Sequence, residues 1–198
     1  MASMVVHDRR LLGGTPAFYN YVMQVNATTP IGNIINVVAR RAREVGKLKR
    51  LHILCHGYEG HFDLSARQTV LDGRGGFGLE LGQQGLNLGN YGLTSAWKGL
   101  VDLIVVFSCS PADTGSGNEG TRADGRRFCG YLALSTGAKV IAARDTQSYN
   151  SVNMAIPIDF GDWEGTVFEF SSANPDGIPV ADPSIYKTQR SRADAAAA

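Results

Sequence analysis

The sequence predicts a three-layer α/β sandwich: a mostly parallel sheet with helices on both faces, plus peripheral β-hairpins. Three observations carry that expectation. An aromatic and β-branched run, a segment of helical periodicity and a short apolar run follow one another within about forty residues, from Ala17 to Cys55. That is the order of a βαβ unit, whose strands are parallel. A second run, Asp102 to Phe107, is apolar throughout, as suits a strand buried on both faces. A third, Lys139 to Ala143, follows a helical segment in the same way.

Taken in order, Ala17–Val25 reads as the first strand, after the Gly14-Thr15-Pro16 turn signal. Ile31, Ile34, Ile35, Val38, Ala42 and Val45 repeat at helical spacing, with Gly46 as a stop. Leu51–Cys55 is a short apolar strand ending at His56-Gly57. Leu79, Leu81, Leu86 and Leu88 alternate around Gly82-Gln83-Gln84-Gly85, which predicts a hairpin. Thr94–Leu100 suits a short helix, and Arg126–Thr136 a longer one capped by Gly137. Between them the apolar strand stops at Ser108-Cys109-Ser110-Pro111, followed by a polar, glycine-rich loop to Asp124. Ile156–Phe160 and Thr166–Phe170 flank Gly161-Asp162-Trp163-Glu164-Gly165, and together predict a closing hairpin. The expected domain runs over 1–182, with a flexible tail over 183–198.

A chain of 198 residues suffices for one domain with a real core. A net charge of +1 gives no reason to expect nucleic acid as partner. The first ten residues lack an apolar stretch after a basic one, and no apolar run reaches the ~18 residues of a membrane span. With an odd count of three cysteines and no C-x-x-C, a reducing, cytoplasmic setting is expected. Sixteen of the 24 glycines fall between Gly57 and Gly130, and that stretch is expected to be the mobile, functional side.

The chemistry is expected where strands end. His56 and Cys109 each follow a buried parallel strand, and ligands of open α/β sheets bind outside the carboxyl ends of the strands. A thiol beside an imidazole is a nucleophile with its proton acceptor. All four histidines precede residue 62, so any catalytic histidine must precede the nucleophile. That order differs from α/β-hydrolases and from papain-like proteases. The competing view is a satisfied core histidine and an inert buried cysteine. A zinc site on His52, His56 and His61 fails on spacing, because residues 52 and 56 of one strand lie about 13 Å apart. Gly73-Arg74-Gly75-Gly76-Phe77-Gly78 matches G-x-G-x-x-G but precedes no helix, so no pyrophosphate site is expected. No metal or cofactor is expected.

His before Cys, each at a strand end, is also the caspase-like arrangement. The chain resembles that group at Leu51-His52-Ile53-Leu54-Cys55-His56-Gly57 and at Leu103-Ile104-Val105-Val106-Phe107-Ser108-Cys109. Within it the chain is similar to the cysteine protease domains of bacterial autoprocessing and clostridial toxins, and to a His-Gly domain of bacterial surface proteins. The leucine hairpin, the segment Gly130–Ala143 and the Gly161-Asp162-Trp163 turn extend the likeness over roughly 51–170. The resemblance implies a caspase-like sandwich and a cysteine endopeptidase, self-processing included. Cys109 would attack the scissile carbonyl, His56 would protonate the leaving amine, and the amides of Gly57 and Cys109 would hold the oxyanion. Arg144 and Asp145 would border the pocket for the residue before the scissile bond, with Ser108 beside them. The alternative for the two charges is a surface ion pair. Ser110-Pro111-Ala112 departs from the glycine-containing turn that follows many cysteines of this group.

Asp113, Arg122, Asp124, Arg126 and Arg127 lie in or beside the loop where self-cleavage is expected. Arg40, Arg41, Arg43, Lys47, Lys49 and Arg50 form a basic cluster, either a solvated helix end or a polyanion site. The similar toxin domains imply inositol hexakisphosphate there as an activator. Two rival functions remain: a caspase-fold interaction module without turnover, and a serine hydrolase on Ser108 or Ser110, which lacks the G-x-S-x-G elbow.

Overall fold

The computed structural model describes residues 2–63, 68–115, 119–122, 124–150 and 155–187. The strands of the main sheet are β1 (Ser3–Asp8), β2 (Tyr21–Val25), β3 (Arg50–Leu54), β7 (Leu103–Phe107), β8 (Lys139–Ala143), β9 (Val167–Phe170) and β10 (Ile178–Pro179). Their order is β10-β9-β8-β7-β3-β1-β2. The five strands from β8 to β2 are parallel, and β9 and β10 add an antiparallel edge. A second, antiparallel sheet holds β4 (His56–Asp63), β5 (Gln68–Glu80) and β6 (Leu86–Asn87). This is the predicted α/β sandwich with a mostly parallel sheet and a peripheral hairpin sheet.

The two α-helices, α1 (Ile31–Glu44) and α2 (Gly125–Thr136), sit on one face of the main sheet, not on both as expected. Chain order explains this. From β2 the path runs β3, β7, β8, always across the sheet in one direction, so right-handed crossovers fall on a single face. Only the β1-to-β2 connection runs the other way, and its Leu11, Phe18 and Tyr19 cover the opposite face. Ile158, Phe160, Trp163 and Tyr186 complete that third layer, which is built from loops and a short 3-10 turn at Pro183–Tyr186.

The helix face is the larger core. α1 buries Ile31, Ile34, Ile35, Val38, Ala39 and Ala42 on a stripe of helical period. Each fully buried Ile or Val contributes about 1.5–3 kcal/mol. Trp97 closes a 3-10 helix (Tyr91–Trp97), is fully buried, and donates from Nε1 to Ile35 O at 2.9 Å. Gly137 ends α2 at φ +68°, a left-handed cap that favours glycine. β7, between β3 and β8, buries Ile104, Val105, Val106 and Phe107 on both faces.

Several boundaries differ from expectation. Ser3–Asp8 forms a strand that the sequence pattern did not announce, and it lies between β2 and β3, so the strands of the predicted βαβ unit are not neighbours. Of Ala17–Val25 only Tyr21–Val25 is strand. The closing hairpin is replaced: β9 pairs with β8, while residues 156–160 make only isolated bridges, Pro157 with Gly14 and Asp159 with Asn150. Many of the clustered glycines, Gly57, Gly60, Gly73, Gly75, Gly76 and Gly78, lie within β4 and β5. The first residues of the expected tail are attached, with Tyr186 Oη donating to Glu169 Oε2 at 3.0 Å and Lys187 paired to Asp162. The rest of it, 188–198, lies outside the described residues, as do 116–118 and 123 of the loop after Cys109.

Candidate active site

β3 and β7 are adjacent and parallel, in the register Leu51–Ile104 to Leu54–Phe107. The ladder continues one step past both strands, where Cys55 N donates to Phe107 O at 3.2 Å. At that level Cys55 Sγ and Ser108 Oγ lie 3.9 Å apart, both residues buried. Cys55 belongs to the core on the helix side. Past these ends the chain leaves the ladder: His56 opens β4 of the hairpin sheet, and Cys109 lies in a bend. Leu54 and Phe107, the last residues of the two strands, pack into the core on the loop-built side. The offset of β3 against β7 equals the 53 positions between His56 and Cys109, so each follows the carboxyl end of one of two adjacent strands by the same number of residues. Both are nearly buried, 8% and 6% exposed.

The imidazole is held from behind. His56 Nε2 lies 3.1 Å from Arg10 O, and a carbonyl only accepts, so Nε2 carries the proton. In the neutral ring Nδ1 is then the basic nitrogen. Arg10 is fixed in turn. Its guanidinium grips Asp8 as a fork, Nε to Oδ1 at 2.9 Å and Nη2 to Oδ2 at 2.7 Å, and the Arg10 amide donates to Oδ1 at 3.1 Å. The same guanidinium reaches Glu80 O, Gly82 O and the Glu80 carboxylate, at 3.1, 2.8 and 3.1 Å. Asp8, fully buried, also accepts from Gly82 N at 2.8 Å. Sequence reasoning missed this group, since Arg10 and Glu80 are 70 positions apart. The group lies where the connections from β1 and from β3 leave in opposite directions across the sheet, the crevice position of open α/β sheets.

Gly57 follows His56 in β4 and stands opposite Leu79, buried in the hairpin ladder. After Cys109, Ser110 takes φ +48°, the left-handed conformation that glycine adopts freely. The turn shape expected of a glycine is thus made by a serine, whose hydroxyl lies 3.1 Å from Thr146 Oγ1. Two residues before Cys109, the Phe107 ring stacks on Trp163 and Phe160, with centroids 4.6 and 4.8 Å apart.

The remaining expected residues separate. Ser108 is 1% exposed and faces the buried Cys55 thiol, so its hydroxyl is occupied inside the protein rather than presented to a substrate. Arg144 lines a cleft of about 670 Å³ with Asp124, Arg127, Tyr131 and Asp176, to which neither His56 nor Cys109 contributes. Asp145 accepts from Thr166 N at 3.1 Å and lies 3.4 Å from Arg144 Nη2, the ion pair of the alternative view. Asp124 caps α2 by accepting from Arg127 N at 3.0 Å, and binds Thr114 Oγ1 and Gly120 N from the loop after Cys109.

The three cysteines are free thiols. Burial pushes the Cys55 and Cys129 thiols up, far out of the thiolate range. In the basic cluster, Arg41 pairs with Glu44 at 2.6 Å, while Lys47 and Lys49 both pair with Asp102. Among the described residues there is no helix long and apolar enough to cross a membrane, and no His/Cys/Asp/Glu group that could hold a metal ion. Comparison with protein-family models, with curated proteins and with solved structures returned no match in any of the three.

Proposed function

We propose that the chain is a cysteine endopeptidase of the caspase-like group, with Cys109 as nucleophile and His56 as its proton carrier. The observation that carries the reading is that His56 and Cys109, both nearly buried, follow the carboxyl ends of two adjacent, paired parallel strands. In the proposed reaction Cys109 Sγ gives its proton to His56 Nδ1 and attacks the scissile carbonyl carbon. The oxyanion is met by the amides of Gly57 and Cys109. His56 returns the proton to the departing amine, and water then cleaves the thioester and restores the thiol. A ring with Nε2–H held by a carbonyl suits this role, because its lone pair sits on the other nitrogen. Of the residues expected to border the pocket, Asp145 remains in the proposal, and Arg144 only through its ion pair with Asp145.

A thiol-directed acyl-type probe tests the reading. Labelling at Cys109 that disappears in His56→Ala, with Cys55 and Cys129 unmodified, is the expected result. Equal slow labelling of all three cysteines ends the proposal and leaves the interaction module. An inositol hexakisphosphate activator at Arg40–Arg50 is a separate part, since much of that cluster is already ion-paired. Absence of thermal stabilisation by that compound removes it.

A further inference from the structure

His56, Arg10 and Glu80 form a closed circuit. His56 opens β4 and faces Glu80 across the hairpin ladder. The Glu80 carboxylate and carbonyl hold the Arg10 guanidinium. The Arg10 carbonyl accepts from His56 Nε2. Asp8, fully buried, locks the arginine from the end of β1 and ties Gly82 to it. The circuit therefore joins the main sheet, through Asp8 and Arg10, to the hairpin sheet, through Glu80 and Gly82. A cavity of about 90 Å³ beside it is lined by Arg10, Tyr58, Glu80 and the 82–85 turn.

We propose that Arg10, clamped by Asp8 and Glu80, is a positioning residue that keeps His56 in the Nε2–H tautomer with Nδ1 as the basic nitrogen. The proposal rests on the peptidase reading for its purpose, but the arrangement stands on its own geometry. One bidentate fork on Asp8, one contact to the Glu80 carboxylate and two carbonyls hold the guanidinium, and with it the backbone of residue 10. A lysine keeps the charge and loses the fork. Removing the clamp frees the carbonyl, and the ring can then exchange its proton between the two nitrogens.

The test uses the full chain with 15N-labelled histidine, the His56 signals being identified by their loss in His56→Gln. Wild type is expected to show a single tautomer at His56, protonated on Nε2. Arg10→Ala, with Arg10→Lys close behind it, is expected to show a mixture of tautomers. Turnover of a peptide substrate is expected to fall by about 100-fold in kcat with KM little changed, as for a misplaced catalytic group. If Arg10→Ala does not fold, Arg10→Lys decides, because it keeps the charge and loses the fork on Asp8. A folded Arg10→Ala or Arg10→Lys protein that keeps the wild-type tautomer overturns the proposal. A tautomer change in a protein whose wild type neither cleaves peptides nor takes the acyl probe upholds the clamp and removes the peptidase.

Discussion

Cys55 Sγ lies 3.9 Å from Ser108 Oγ on the helix-covered side of the sheet. That contact sits one step past the ends of β3 and β7, and the next residue in each segment is His56 or Cys109. Two strand ends in register thus carry one buried thiol–hydroxyl pair, and the imidazole and thiol of the proposed dyad follow it immediately in the two segments.

The first prediction concerns the three thiols. Cys55 and Cys129 are fully buried and pushed far up by that burial, whereas Cys109 retains 6% exposure. Iodoacetamide should alkylate Cys109 at least about tenfold faster than either of the others in the folded protein, because the thiolate is the reacting form. In urea the three rates should converge. Mass mapping after a timed quench reads this, and preferential labelling of Cys55 or Cys129 would contradict the burial argument.

A second prediction follows from Asp124. Burial acts to raise its pKa, but hydrogen bonds from Arg127 N, Gly120 N and Thr114 outweigh it and leave the carboxyl below its ordinary range. The folded protein then holds the carboxylate more tightly than the unfolded chain does. Its contribution is fully present above the unfolded value near ~4 and is lost as pH falls through the lower folded value. Asp124→Ala should cost about 1–2 kcal/mol at neutral pH, the usual range for a helix cap. Asp124→Asn should cost less, and its deficit against wild type should shrink as pH falls below about 4. Urea midpoints across that range measure both.

The third prediction is local to the nucleophile. A non-glycine residue in the left-handed region costs about 1–2 kcal/mol, and Ser110 sits there at φ +48°. Ser110→Gly relieves that strain, loses the contact with Thr146, and loosens the unfolded chain. Its stability should stay within about 1 kcal/mol of wild type, with Cys109 labelling retained. Ser110→Val should lose about 2 kcal/mol, because a β-branched side chain tolerates this conformation worst. Loss of labelling in the glycine variant, with valine unaffected, would show that the turn is not what aims Cys109.

Much of the sheet was legible because its signals are local. α1 carries an apolar period and a glycine stop, and it ends within a residue or two of the expected position. β3 and β7 are short, apolar and end at polar residues, which placed His56 and Cys109 at strand ends. What escaped was satisfied only through tertiary contacts. β1 contains His7 and Asp8, both fully buried, and reads as a polar start until Thr15, Leu11, Arg10 and Gly82 supply their partners. The β9 pairing was misassigned because a glycine-bounded turn is a local hairpin signal, while the edge of β8 is a distant one. Arg10 carried no motif, since its partners lie 70 and 72 positions along the chain. Ser108 and Arg144 were expected at the pocket from the caspase-like resemblance, but Ser108 faces Cys55, and Arg144 lines a cleft to which neither His56 nor Cys109 contributes.

The fourth prediction concerns acid. His52 points to the loop-built face, is 2% exposed, bonds Tyr19 Oη through Nδ1, and sits edge-on to Phe107. Burial, helped by the charge of Arg50, pushes it down to about 3. In the unfolded chain it titrates near ~6.5. Between those two values the unfolded chain binds a proton that the folded protein refuses, so stability rises with pH there. It is fully present above about 6.5 and falls on acidification by up to about 1.4 kcal/mol per pH unit. His7, also lowered mainly by burial, acts in the same direction. The window from about pH 6.5 to 4.5 separates these histidines from the carboxylates, which matter only below it. His52→Leu starts from a lower stability, because it leaves the buried Tyr19 hydroxyl without its partner. Its dependence on pH in that window should nevertheless be flatter than wild type by up to about one proton, with His7 intact in both proteins. Urea midpoints at half-unit steps measure the slope. Parallel slopes for the two proteins would mean that His52 takes up its proton in the folded state, against its burial.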